Sequence, residues 1–437
     1  MECVTKAWVP KEDWPYQLPA NWCWTQVKYV ADVVTGGTPS KKHPEYYGES
    51  FPFYKPADLD AGRNVFEASE YLSDAGKQMS RIIPPKSTAV CCIGSIGKSG
   101  FLTRECATNQ QINVAIPKCN PLFLYYYFQT DTFINELWSK ASSTTISIVN
   151  KTKMEKCFFP LPPIPEQHRI VARIESLFAK LEEAKEKIKN VLEGAENRKA
   201  AILHKAFTGQ LTANWRKENG VRDDSWEELP LGDVCIINPP KIDTKSLDDN
   251  LKVSFVPMAD VSDIDGIVSG NQTRKLSEVK KGFTNFKEDD VVFAKITPCM
   301  ENGKSAIIGK LVNDIGFGTT EFYVLRSSKK IYNRFLYHLV RSAFFRDEAK
   351  ANMAGAVGQQ RVPKAFMQEY LLKLPNIPEQ QEIVRLLDNF LAKEKSIVAT
   401  CEGSLATIEQ MKKSILAKAF RGELGTNDPG EGSALSQ

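Results

Sequence analysis

Apolar residues recur at a 4-3 spacing over two long stretches of the chain. The first runs through Ile170, Ile174, Leu177, Leu181, Ala184, Ile188, Val191, Ala195 and Ile202. The second runs through Ile383, Leu387, Phe390, Ile397, Cys401, Ile408, Met411 and Ile415. Sustained heptad spacing predicts helices that meet along a coiled-coil seam, not merely amphipathic ones. Pro165 and Pro378 sit just ahead of the first turn, Glu166 and Glu379 suit its positive end, and Gly209 and Gly422 supply the stop. Glu166 to Phe207 spans 42 residues, a helix about 63 Å long at ~1.5 Å per residue. Each helix needs a partner for its seam, and the simplest partner is the other copy packed antiparallel. Arg198 and Glu394 stand at seam positions where apolar residues are expected. In a pseudo-twofold antiparallel pair they lie symmetrically about the crossing point. The spacing therefore predicts that they face each other as a partly buried ion pair.

The rest of the chain is mixed. Residues 27–34 and 290–296 are β-rich, and Gly-Pro punctuation such as Gly36-Gly37-Thr38-Pro39 breaks up such runs. Short helices are expected at 121–140 and 333–351, which makes each stretch an α+β globule.

The chain also repeats itself. Leu161-Pro162-Pro163-Ile164-Pro165-Glu166-Gln167 returns as Leu374-Pro375-Asn376-Ile377-Pro378-Glu379-Gln380, and residues 202–211 return as 415–424, both at an offset of 213. Upstream the offset drifts to 202 at Asp58 and Asp260, and to 206 at Lys98 and Lys304. Such a period is far too long for a solenoid and means a duplicated domain plus connector. The expected architecture is α+β: two globules separated by two long helices packed as an antiparallel coiled coil, with pseudo-twofold symmetry.

Composition narrows the classes. The 437 residues carry 57 Lys and Arg against 53 Asp and Glu, a net charge of +4. That balance excludes a histone-like polybasic binder but not a basic surface of limited area. Length gives a prior of two or three domains at ~150 residues each. Ten cysteines are too few for a disulfide scaffold. The first residues have no signal-peptide core, and the apolar run 121–128 is too short for a span of ~20 residues. A cytoplasmic protein with no membrane partner is expected.

Motifs of catalysis fail one after another. Asn238-Pro239-Pro240 resembles the amine-holding motif of amino-methyltransferases, but Lys241 stands where an aromatic residue should follow. A turn after a strand is the plainer reading. Gly97-Lys98-Ser99 and Gly303-Lys304-Ser305 look like the ends of a phosphate-binding loop, yet Cys92 and Pro298 occupy the required glycine position. They read as turns between strands. No Cys-x-x-Cys pair and no G-x-S-x-G elbow occurs, and His43, His168, His204 and His338 are scattered, so no metal site is expected. More promising are the polar segments 142–153 and 354–364 ahead of each Pro-rich stop. Gln matches adenine edges and Arg guanine edges in the major groove, although a solvated loop is the competing reading.

The duplicated Leu-Pro-x-Ile-Pro-Glu-Gln signature, Lys418-Ala419-Phe420-Arg421-Gly422-Glu423-Leu424, and the Trp-containing lead-ins 21–24 and 226–233 together resemble the specificity subunit of type I restriction–modification systems. Residues 209–216 look like the family branch with enteric prototypes. The resemblance covers nearly the whole chain. It implies target-recognition domains at 1–165 and 213–377, conserved helices or spacers at 166–212 and 378–425, and a flexible tail at 426–437. Each domain would read half of a split double-stranded DNA site. The implied DNA contacts are Lys41, Lys42, Lys55, Lys98, Thr144, Asn150, Lys151, Lys153, Lys295, Lys304, Gln359, Gln360, Arg361 and Lys364. Ile174, Leu177, Leu181, Ile188, Leu387, Phe390, Ile397 and Ile408 would form the seam and docking helices. Two modification subunits would carry S-adenosylmethionine and flip out the target adenine. Restriction subunits would bring ATP and Mg. This chain would hold no cofactor and catalyse nothing. The alternatives are a free-standing DNA adenine methyltransferase, told apart by S-adenosylmethionine binding to the isolated chain, and a non-DNA coiled-coil adaptor, told apart by salt-dependent DNA binding.

Overall fold

The computed structural model describes residues 8–142, 146–264, 266, 268, 272–356 and 358–434. The chain divides into two compact units, Met1–Lys189 with Glu402–Gln437, and Asn190–Cys401. The division falls inside both connector helices.

In the first unit, strands Ala31–Thr35, Ile112–Pro117, Thr88–Cys91 and Ser99–Phe101 form an antiparallel sheet in that order. A second sheet runs Tyr47–Gly48, Glu70–Leu72, Phe51–Tyr54 and Ala107–Thr108, its last pair parallel. Cys23–Gln26 pairs with Phe158–Leu161 and brings the start of the unit to the root of its connector helix. The core between these elements is strongly aromatic. Trp24, Phe123, Tyr127, Phe128, Phe133 and Phe159 are fully buried with Ile170, Ile174, Ala419 and Phe420. Each such side chain contributes about 1.5–3 kcal/mol by leaving water.

The second unit repeats the plan. Its first sheet runs Cys235–Ile237, Phe322–Ser327, Val291–Ala294 and Ser305–Ile307, all antiparallel. Its second runs Thr273–Lys275, Lys252–Val256, Gly316–Gly318 and Thr284–Phe286. Glu227–Pro230 pairs with Leu371–Leu374. Leu325, Phe335, Leu336, Phe345, Ile383 and Leu387 are buried in its core with Ala206.

Each of the stretches 121–140 and 333–351, where short helices are expected, holds two. Pro121–Phe128 and Asp131–Ser139 are parted at Thr130, whose hydroxyl accepts from Phe133 N. Asn333–Arg341 and Ala343–Ala351 are parted at Ser342, which accepts from Phe345 N. A hydroxyl that caps a helix start satisfies an otherwise orphan amide and resets the chain direction.

The second connector is one helix, Ile377–Ala419. The first, Ile164–Glu193 and Ala195–Phe207, is interrupted for one residue at Gly194. A Cβ there would lie 2.6 Å from Arg198 Nη1, so the glycine makes room for a guanidinium that also donates to Val191 O at 2.8 Å. In the first unit Lys185 pairs with Glu409 at 2.9 Å and Glu182 with Lys412, so these helix segments run antiparallel.

The continuous apolar seam does not hold. Ile174, Leu387 and Ile408 are buried, and Leu177, Leu181, Ile188 and Phe390 are half-buried, but Ile397 is 43% exposed and Met411 48%. The apolar positions near the helix ends sink into the globular cores, and charged pairs take over between them. Among the described residues no helix is long and apolar enough to cross a membrane.

Candidate nucleic-acid interface

In each unit one hairpin turn and one polar loop are stitched together. The turn after strand Thr88–Cys91 meets the loop ahead of Asn150: Ile93 and Ser142 both bridge Ile148, and Val149 N donates to Cys92 O at 2.9 Å. In the second unit Ile296 and Ala354 both bridge Arg361, Thr297 N donates to Gln360 O at 3.1 Å, and Val362 N to Lys295 O at 2.8 Å. Gly97 (φ 88°) and Gly303 (φ 80°) form the turns just ahead of Lys98 and Lys304, a left-handed conformation that suits glycine. Both lysines stand in tight turns of β-hairpins.

Many of the residues named as DNA contacts already have partners inside the chain. Lys55 pairs with Glu70 at 2.9 Å, Lys98 with Asp60 at 2.7 Å and Lys151 with Glu155 at 3.5 Å. Asn150 caps the helix Lys151–Glu155 by accepting from Lys153 N at 2.9 Å. Lys304 donates to Met258 O at 3.1 Å, and Lys295 lies over the Tyr323 ring. Arg361 makes a two-pronged bond to Glu321, both contacts 2.9 Å. The pairing draws the Glu321 carboxyl below its ordinary range and pushes the Arg361 guanidinium up. Lys41, Lys42 and Gln359 are exposed on loops, Lys153 is half-buried on a short helix, and Gln360 is half-buried with its carbonyl held by Thr297. Lys364 begins the helix Lys364–Glu369. Thr144 lies outside the described residues.

The Asn-Pro-Pro motif is a turn. Asn238 follows strand Cys235–Ile237 at φ 55°, and its side-chain oxygen accepts from Val324 N at 3.0 Å. Asn tolerates this left-handed conformation because its short amide bonds locally. Its side-chain oxygen is therefore engaged by the sheet.

The duplicated Pro-Glu-Gln is a bracket for each connector. Gln167 accepts from Asn120 N at 2.9 Å and donates to Pro162 O at 3.0 Å; Gln380 accepts from Tyr332 N at 2.7 Å and donates to Pro375 O at 2.7 Å. Glu166 and Glu379 are wholly buried. Glu166 Oε2 accepts from the Trp22 indole and from Asn427, both at 2.8 Å. Glu379 Oε1 accepts from Thr212 at 2.6 Å and Arg216 at 2.7 Å. The heptad pattern places these acids at helix starts but cannot show that residues after the other helix close over them. Asn427 belongs to the segment expected to be a flexible tail. That segment is held further by Arg169, which grips Glu431 at 2.7 and 2.9 Å, and by Asn21, which donates to Asp428 O at 3.1 Å.

Two α+β units of one topology, each with a polar loop on a hairpin turn and each bracketed by a long connector helix, define a duplicated recognition protein. The model of the type I restriction modification DNA specificity domain matches residues 19–194 and 223–400. The chain belongs to that family. It is 22% identical over 426 residues to the StySPI specificity subunit of Salmonella potsdam, covering 93% of this chain and 90% of that one. It is 40% identical over 162 residues to the EcoAI specificity subunit of Escherichia coli, covering 37% and 27%. The match to the EcoEI specificity subunit of the same species, 33% identical over 195 residues, spans only 32% of that protein. Among solved structures, the HsdS subunit of Thermoanaerobacter tengcongensis superposes with a TM-score of 0.64 at 19% identity, over 94% of this chain and 99% of that one. A chain from a structure on assembly and conformational transition of the type I R-M system gives 0.66 at 18% identity, over 94% and 100%.

Proposed function

We propose that this chain is the DNA-reading subunit of a type I restriction–modification complex, with one unit for each part of a bipartite site. The observation that carries this reading is the repeated placement of a polar loop on a hairpin turn, on one sheet order, with different residues in the two loops. A reader of two different half-sites needs a constant scaffold and variable loops. The connector helices, exposed along much of their length, would dock two modification subunits. Those subunits would supply S-adenosylmethionine and flip the target base; restriction subunits would bring ATP and Mg. This chain would contribute sequence choice and no bond making.

Methylome sequencing of a host that carries the chain with its modification partners tests the reading. A motif in two specified parts separated by unspecified bases is expected. A single uninterrupted motif, or no new methylation, contradicts it.

A further inference from the structure

We propose that Lys304, Arg341 and Arg346 of the second unit form a phosphate-holding cluster at its hairpin turn, a DNA-backbone contact that the first unit lacks. The inference rests on the DNA-reading function and adds where, and in which unit, the backbone is gripped.

The three cations converge on one turn. Arg341 donates to Gly303 O at 3.0 Å and Ser305 O at 3.3 Å, and to Asp263 O and Ile264 O at 2.8 and 2.9 Å. Arg346 donates to Arg341 O at 3.2 Å and to Glu301 O. Lys304 donates to Met258 O at 3.1 Å. All three are partly buried, and among the described residues every one of these bonds goes to a backbone carbonyl. The carboxylate of Glu301 is held by Lys350 at 2.5 Å instead. Asp347 and Glu196 act on Arg346 only at a distance. Burial and the neighbouring Arg341 push the Arg346 guanidinium down from its ordinary value. Arg216, Arg326 and Arg361, by contrast, are pushed up by a carboxylate they touch. Partly buried cations without a counter-charge are costly, and a phosphate is the anion that DNA offers along its whole length.

The first unit has neutralised the same place. Thr130 and Ser342 start equivalent helices, so Gln129 corresponds to Arg341 and Ile134 to Arg346. The packing agrees: a Cβ on Gly97 would meet Ile134 at 3.1 Å, and one on Gly303 would meet Arg346 at 3.5 Å. Lys98, the counterpart of Lys304, is paired with Asp60 at 2.7 Å.

The test is the salt dependence of binding of the full chain to a duplex of arbitrary sequence. Each phosphate contact contributes about 0.9 to the slope of log K against log salt. Lys304→Gln with Arg346→Gln should lower that slope by about 1–2 and weaken binding similarly for unrelated sequences. Lys304→Arg with Arg346→Lys should keep the slope. Arg341 is left intact because its four carbonyl bonds hold two loops. If the double variant loses its thermal transition, Lys304→Gln alone carries the test, with an expected loss of about 0.9. Wild-type binding with unchanged slopes in the variants overturns this inference and leaves the DNA-reading function standing. No binding by the wild-type chain removes both.

Discussion

The two units keep the same interior and differ at the margins. Their first sheets match strand for strand, and so does the two-stranded ribbon at the connector root. The second sheets diverge at the edges. The first unit adds Tyr47–Gly48 beyond Glu70–Leu72, whereas the second adds Thr284–Phe286 beyond Gly316–Gly318, where the first has only the bridge Ile83 to Cys106. Central strands are locked by partners on both sides, and edge strands are not. The buried glutamates show a similar contrast. Glu379 is met by a guanidinium, Glu166 by an indole and an amide. On the connectors, Arg198 Nε donates to Glu394 at 3.0 Å in the second unit, where the offset of 213 gives Met411 and Leu181 in the first.

The largest expected effect breaks the contrast between the buried glutamates. Arg216→Leu leaves Glu379 buried without its cation and should cost about 3–5 kcal/mol of stability. Thermal or urea unfolding reads it. Trp22→Phe in the first unit removes one bond to a buried carboxylate and should cost about 1–3 kcal/mol. Equal losses would mean that the two acids are held alike.

Glu166→Gln sharpens the comparison through pH. Burial pushes the Glu166 carboxyl up, against the bonds from Trp22 and Asn427 that lower it. A carboxyl whose folded value is raised binds its proton more tightly in the native chain, so its ionisation removes stability as pH rises. Glu166→Gln should therefore gain in melting temperature over the wild type most at neutral pH. That gain should shrink as pH falls through the carboxylate range. A difference that grows on acidification would reverse the assignment.

The smallest effect concerns the connector pair. Glu394 is buried to 3% exposure while Arg198 remains 38% exposed. Arg198→Met alone should destabilise the chain more than the double change Arg198→Met with Glu394→Leu, which installs the first unit's residues. A double-mutant cycle with coupling near zero would mean that the pair does not set the register.

The Arg198–Glu394 contact was legible because helix geometry converts spacing directly into neighbours. The duplication, the connector helices and the turns at Gly97, Gly303 and Asn238 were legible for the same local reason. Long-range partners were not. Nothing near Lys98 or Arg361 in sequence announces Asp60 or Glu321, which the fold brings in from other strands and loops. The helix breaks at Thr130 and Ser342 carry a local signal too, a hydroxyl at a cap position. The seam was overextended because heptad positions near the helix ends serve the globular cores instead.

The central claim is that each unit reads its own part of the site on a shared scaffold. Replacing residues 1–160 with the same stretch of a relative that recognises a different sequence, and sequencing the methylome of the host, tests it most directly. One specified part of the methylated motif should change while the other part stays as it was. A motif in which both parts change would contradict independent reading by the two units.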